Sequence, residues 1–111
     1  MSDRILTPPG LAIETAQIDG SYTIRLIGEF DMTGREAVEQ VLRQAEDSDA
    51  TRILIDLAGL DFVDSTGLIV FVAATRSDER ADRLRFTPAR GQVAKIFSLT
   101  GLDATLTFGA S

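Results

Sequence analysis

Asp64-Ser65-Thr66-Gly67 places a carboxylate, two hydroxyls and a glycine immediately before the apolar run Leu68 to Ala74. Read as the point where a loop enters a helix, this segment can handle an anion. The first amide N–H groups of a helix lack intrahelical partners, and the macrodipole puts its positive end there. A hydroxyl at that tip is open to a phosphoryl donor, and a phosphate formed on it gains local stabilisation from the amides. The same residue types also cap helices, and on residue type alone capping is the readier account of Asp64 or Ser65. The two roles coexist only where Asp64 caps and Ser65 stands free. Thr66 reads as an N-cap or first-turn threonine, with service as an alternate acceptor the other option.

The rest of the inventory narrows the chemistry. The 111 residues include no histidine and no cysteine. That removes Ser-His-Asp and Cys-His catalysis, disulfides and Cys-based zinc sites. No P-loop or dinucleotide fingerprint is present, so no cofactor and no enzymatic activity are expected. Asp56 follows an apolar strand, as the phospho-acceptor of a response-regulator receiver does. The acidic pair and late strand-end lysine of a receiver are missing, and a structural role is the better reading. Asp56, Asp61 and Asp64 match no calcium-loop spacing and read as solvated loop acids. The net charge is −6 and the single lysine is Lys95, which argues against nucleic acid as a partner. Met1-Ser2-Asp3-Arg4 precedes no apolar signal region, and Leu68 to Ala74 is too short to cross a bilayer. A cytoplasmic protein with no direct membrane insertion is expected.

The elements that must position the Ser65 segment follow from hydropathy and turn signals. Residues 1–10, ending Thr7-Pro8-Pro9-Gly10, read as a flexible lead-in, 11–108 as one domain and 109–111 as a tail. Leu11 to Ile18, the turn dipeptide Asp19-Gly20 and Tyr22 to Ile27 read as a β-hairpin. Gly28-Glu29-Phe30-Asp31 reads as a loop. Thr33 and Glu36 have capping-box spacing, so a helix is expected from near Thr33, with Ala37, Val38, Val41, Leu42 and Ala45 on its apolar stripe. Glu39 and Arg43 form an i,i+4 pair on its wet face. Arg52 to Leu57 reads as a central strand buried on both faces, and Ala58 to Val63 as a loop. The run from Leu68, continuing into Thr75 to Arg80, favours a buried helix. Leu84 to Thr87 is a strand, Gln92 to Leu99 a helix stopped by Gly101, and Thr105 to Phe108 an edge strand. The fold class is α/β: a mixed sheet of about four to five strands with helices packed on it. No internal repeat is read. The six phenylalanines read as core anchors, with Phe30 and Phe62 expected partly exposed in their loops.

Ile53-Leu54-Ile55-Asp56-Leu57-Ala58-Gly59-Leu60-Asp61-Phe62-Val63-Asp64-Ser65-Thr66-Gly67-Leu68 resembles the central signature of STAS domains, and within them the bacterial anti-sigma-factor antagonists. Leu26-Ile27-Gly28-Glu29-Phe30-Asp31 is similar to the family's earlier Gly-Glu-hydrophobic-Asp loop, and Leu99-Thr100-Gly101-Leu102 to its late Gly-Leu turn. The three matches come in the family's order and span nearly the whole chain.

The resemblance implies a mechanism. The unphosphorylated antagonist binds an anti-sigma factor that is itself an ATP-binding serine/threonine kinase, and so frees a sigma factor. Phosphorylation of the serine after the motif's aspartate ends the binding, and a serine/threonine phosphatase restores it. By position the acceptor is Ser65. The implied switch and partner surface comprises Glu29, Phe30, Asp31, Phe62, Asp64, Ser65, Thr66 and Gly67, in a monomer or weak dimer. The alternative is a non-switching STAS scaffold or subunit in a stressosome-like or transporter assembly. Two departures bear on partner choice. Ile69 stands where the family has a small residue, often glycine, and Arg80-Ala81-Asp82-Arg83 lacks the glycine common before the next strand.

Overall fold

The structure, a computed structural model, describes residues 2–5, 10–77 and 82–109. Among the described residues five strands form one sheet in chain order: β1 Ser2–Ile5, β2 Leu11–Ile18, β3 Ser21–Phe30, β4 Arg52–Val63 and β5 Leu84–Phe86. The first three are antiparallel, and β3, β4 and β5 are parallel. The parallel pairs need crossovers. Helix α1 (Arg35–Asp47) connects β3 to β4, and α2 (Ser65–Thr75) leads from β4 toward β5. After β5 come α3 (Gly91–Thr100) and the single turn α4 (Leu102–Thr105). The expected mixed α/β sheet is the one observed.

One apolar cluster holds the layers together. Ile13, Ile24, Leu26, Ile53, Ile55 and Leu57 bury the helix-facing side of the sheet. Val38, Val41, Leu42 and Ala45 of α1, with Val70, Phe71 and Ala74 of α2, close over it. Phe71 is the hub, its ring edge-on to Phe30 at 5.4 Å, Phe86 at 5.6 Å and Phe97 at 6.2 Å, in the T-shaped arrangement that aromatic quadrupoles favour. The opposite side of the sheet is wetter. Glu14, Arg25 and Asp56 stand in register across β2, β3 and β4. Arg25 reaches Asp56 at 3.2 Å and Glu14 at 3.7 Å. Asp56 Oδ1 also accepts from the Ala58 N–H at 3.0 Å and the Thr87 hydroxyl at 3.3 Å. Asp56 is thus a structural carboxylate, and β4 is not apolar on both sides.

Several boundaries differ from expectation, for identifiable reasons. Ser2–Ile5 form a strand where a loose lead-in was expected, because Ile13–Ala16 of β2 offer it a hydrogen-bonding edge. The segments 28–30 and 58–63, expected as loops, continue β3 and β4. Their glycines mark irregularities rather than ends: the β3/β4 register shifts between Arg25 and Ile27 and again between Gly28 and Glu29. Helix α1 starts after a 3-10 turn, Met32–Gly34, and Arg35 rather than Arg43 pairs with Glu39, at 3.3 Å. Helix α2 ends at Thr75; of its expected continuation to Arg80, residues 78–80 lie outside the described residues, as do Arg80 and Ala81 of the glycine-lacking segment. The last expected strand is replaced by α4 and one parallel bridge between Phe86 and Phe108. Gly101 does end α3, with φ 80°.

Candidate functional site

The site lies at the carboxyl ends of two adjacent parallel strands, where β3 turns into α1 and β4 into α2. Phe30 pairs with Val63 as the last rung. The Asp64 N–H then donates to the Phe30 carbonyl at 3.1 Å, tying the two chain reversals together. Asp31 follows Phe30 as Asp64 follows Val63, and each aspartate caps what comes next. Asp64 has extended backbone and accepts from the Gly67 N–H at 3.1 Å, while its carbonyl takes the first helical bond, from the Leu68 N–H at 3.0 Å. Asp31 accepts from the Thr33 N–H at 3.0 Å and from the Thr33 hydroxyl at 2.5 Å. The Thr33–Glu36 capping box is therefore not used: Asp31 provides the cap and Thr33 donates to it.

The local sequence is the same at both ends. Asp31-Met32-Thr33-Gly34 and Asp64-Ser65-Thr66-Gly67 share the spacing Asp-x-Thr-Gly. Reading the chain for longer repeats passes over this four-residue repetition, and comparing the two strand ends directly would have found it. Both glycines serve close packing. A Cβ on Gly67 would lie 2.5 Å from Val63 Cγ2 and 3.0 Å from Phe30 Cδ2, and one on Gly34 would lie 2.7 Å from Leu11 Cδ2. They let each helix start flush against the strand ends, which places the x positions, Met32 and Ser65, outward. Met32 is 71% exposed, and Ser65 is exposed as the first residue of α2.

Ser65 and Asp64 thus divide the two roles. Asp64 holds the cap, and the Ser65 side chain enters no hydrogen bond among the described residues. Thr66 is half-buried at the second helical position and is not the cap. Glu29 is exposed, Asp31 and Asp64 are half-exposed, and Phe62 is 38% exposed. Phe30 corrects an expectation: it is fully buried against Phe71, Val63 and the helix starts, so it can brace the site but cannot touch a partner. Among the described residues no three acidic side chains converge as a metal site requires, and no helix is long and apolar enough to cross a membrane.

The capping bonds lead to two expected results. Asp64→Ala should cost about 1 kcal/mol in urea unfolding, the ordinary worth of an N-cap. Hydrogen bonds from the Thr33 hydroxyl, and next from the Thr33 N–H, hold the Asp31 carboxyl below its ordinary value of 3.8. A carboxylate whose folded pKa is depressed adds stability that is complete above the unfolded value and is lost as pH falls through the folded one. The Asp31 contribution should therefore persist at neutral pH and fade only below the ordinary carboxylate range. A carboxyl-carbon NMR titration checks this: Thr33→Val, which removes the hydroxyl and keeps the N–H, should move the Asp31 midpoint upward.

The family model described as "Mlab, STAS domain" matches residues 13–107. The chain belongs to the STAS domain family. The anti-sigma-B factor antagonist of Staphylococcus aureus is 29% identical over 93 residues, covering 83% of this STAS domain chain and 86% of its own length. The crystal structure of an anti-sigma factor antagonist from Mycobacterium paratuberculosis superposes with a TM-score of 0.78 at 26% identity, covering 96% and 92% of the two chains. The Bacillus cell fate determinant SpoIIAA in its phosphorylated form shares the fold, with a TM-score of 0.66 at 24% identity over 90% and 93%. Both helix starts of this STAS domain lie within the matched residues.

Proposed function

We propose that this STAS domain is an anti-sigma factor antagonist controlled at Ser65. In its unmodified form it docks through the β3 and β4 carboxyl ends on an anti-sigma factor that is an ATP-binding serine kinase, which releases a sigma factor. Transfer of the γ-phosphoryl group of ATP to Ser65 Oγ, with loss of the hydroxyl proton, ends the docking, and hydrolysis by a serine/threonine phosphatase restores it. One observation carries the reading: Asp64 provides the cap, leaving Ser65 exposed and unengaged at the positive end of α2. A serine needed as the cap would lose its capping bond when modified, whereas Ser65 makes none among the described residues. The names of the similar proteins support the same assignment.

The partner surface comprises Glu29, Asp31, Phe62, Asp64, Ser65 and Thr66, with Gly67 and Phe30 as packing beneath it. Met32 joins it as the exposed counterpart of Ser65. The test is incubation with ATP and the cognate kinase, followed by peptide mass spectrometry. One phosphate on Ser65 is expected, with none on Ser65→Ala, which should still bind. An unmodified Ser65 under every kinase pairing, together with wild-type behaviour of Ser65→Ala and Ser65→Glu in the cell, would sink the switch. Co-purification with a transporter subunit or a megadalton particle would then favour a non-switching scaffold.

A further inference from the structure

Helix α2 is apolar nearly all round, with the sequence Leu68-Ile69-Val70-Phe71-Val72-Ala73-Ala74. A helix of that kind is ordinarily covered on every side. Here Val70, Phe71 and Ala74 are buried against the sheet and α1, whereas Ile69 is 59% exposed, Ala73 is exposed and Val72 is half-buried. The uncovered side forms one wall of an open groove of about 630 Å³, whose other wall is the junction of α3 and α4 at Thr100 and Leu102. That volume falls within the ordinary range of small-molecule sites, roughly 300–1,000 Å³. Ile69, which replaces the family's usual small residue, supplies part of the apolar rim.

The groove is polarised along its length. Leu68, Ile69, Val72 and Ala73 line it from the α2 amino end, and Arg76 and Ser77 line its other end. Leu68 and Arg76 are separated along the helix axis by roughly 12 Å at 1.5 Å per residue. Among the described residues Arg76 is the groove's only charged lining residue, and it is a cation in a chain of net charge −6. It is exposed and makes no ion pair among the described residues. An arginine at a helix carboxyl end answers the macrodipole, but that role leaves its fork of donors unfilled. The Ser77 hydroxyl is directed to Glu46 at 3.4 Å and the Thr100 hydroxyl to the Ile96 carbonyl at 2.8 Å. Among the described lining residues Arg76 is therefore the donor that remains for a ligand.

We infer that this groove binds an amphipathic monoanion, a medium-chain acyl carboxylate: the chain lies along Leu68, Ile69, Val72 and Leu102, and the carboxylate meets Arg76. The site is separate from the Ser65 hydroxyl and stands whether or not Ser65 is phosphorylated.

The experiment is an amide NMR titration of the full chain with decanoate, decanol and decylammonium, backed by calorimetry. Decanoate should give saturable shifts confined to residues 68–77 and 100–102. Arg76→Gln should weaken decanoate about tenfold, the scale of a lost charged hydrogen bond, while leaving decanol unchanged. Ile69→Glu, a substitution at an exposed position, should abolish binding of both. Absence of saturable shifts with decanoate overturns the proposal. So does equal affinity for decylammonium, or an Arg76→Gln protein that binds decanoate like the wild type. A groove inert to decanoate whose Ile69→Glu variant fails to capture the kinase is a protein-docking surface, and that result overturns it too.

Discussion

Phospho-Ser65 protein is expected to bind the anti-sigma kinase roughly 5- to 150-fold more weakly than the unmodified protein, with its backbone unmoved. The phosphate brings about −1.5 to −2 charges at pH 7. It would sit beside Asp64, and the Asp64 N–H bond to the Phe30 carbonyl brings Asp31 to the same end of the sheet. A partner carboxylate about 6 Å away would be repelled by up to ~3 kcal/mol per unit charge at an effective dielectric near 20. Exposure and salt reduce this to a net penalty on the order of 1–3 kcal/mol. Within the domain the Ser65 and Thr66 amides and the helix's positive end favour the dianion and offset the repulsion from Asp64 and Asp31. The loss therefore arises at the partner. Calorimetry on the two forms measures the ratio, and Ser65→Glu, with one charge, should give a smaller loss. An amide NMR spectrum that changes far from residues 29–34 and 62–69 would defeat the view that charge alone acts.

Gly28→Ala is expected to destabilise the fold by about 3–4 kcal/mol, among the larger costs of a single substitution. Gly28 has φ 102°, and a Cβ there would lie 2.2 Å from the Gly10 carbonyl oxygen. That oxygen cannot withdraw cheaply, because it accepts from the Glu29 N–H at 2.7 Å. Gly59→Ala is the control, since its Cβ would meet Ile27 Cγ1 at 3.2 Å, a movable side-chain atom, with no positive φ. It should cost under about 1 kcal/mol, within the span of strand preferences. Urea unfolding of both variants measures the difference. Equal costs would show that the β3 irregularity is not held by the Gly10 contact.

The α/β class and the helix stripes were legible because they are local: Val38, Val41, Leu42 and Ala45 recur at helical spacing, and all four are buried. Asp64 and Ser65 were legible for the same reason, a polar pair before an apolar run. Strand ends were not, because pairing is a property of two segments. Gly28 and Gly59 look like turns in one dimension and are accommodated within paired strands in three. Phe30 shows the cost of that misreading. Tyr22, Ile24 and Leu26 continue by twos to Phe30, so a strand carried four residues further would have predicted its burial. In β4 the buried set passes from Ile53, Ile55 and Leu57 to Leu60 and Val63 across Gly59, and no alternation rule anticipates that shift. The capping role of Asp31 was hidden by competition, since the Thr33–Glu36 spacing offered a start two residues too late.

The bond between the Asp64 amide and the Phe30 carbonyl has a consequence for timing. It fastens the platform beneath Ser65 in advance, so under the proposed switch the exposed hydroxyl would be reached without any part of the domain opening, sliding or reordering. On that proposal the tempo of the signal would be set by how often the modifying and erasing enzymes collide with this tip and turn over.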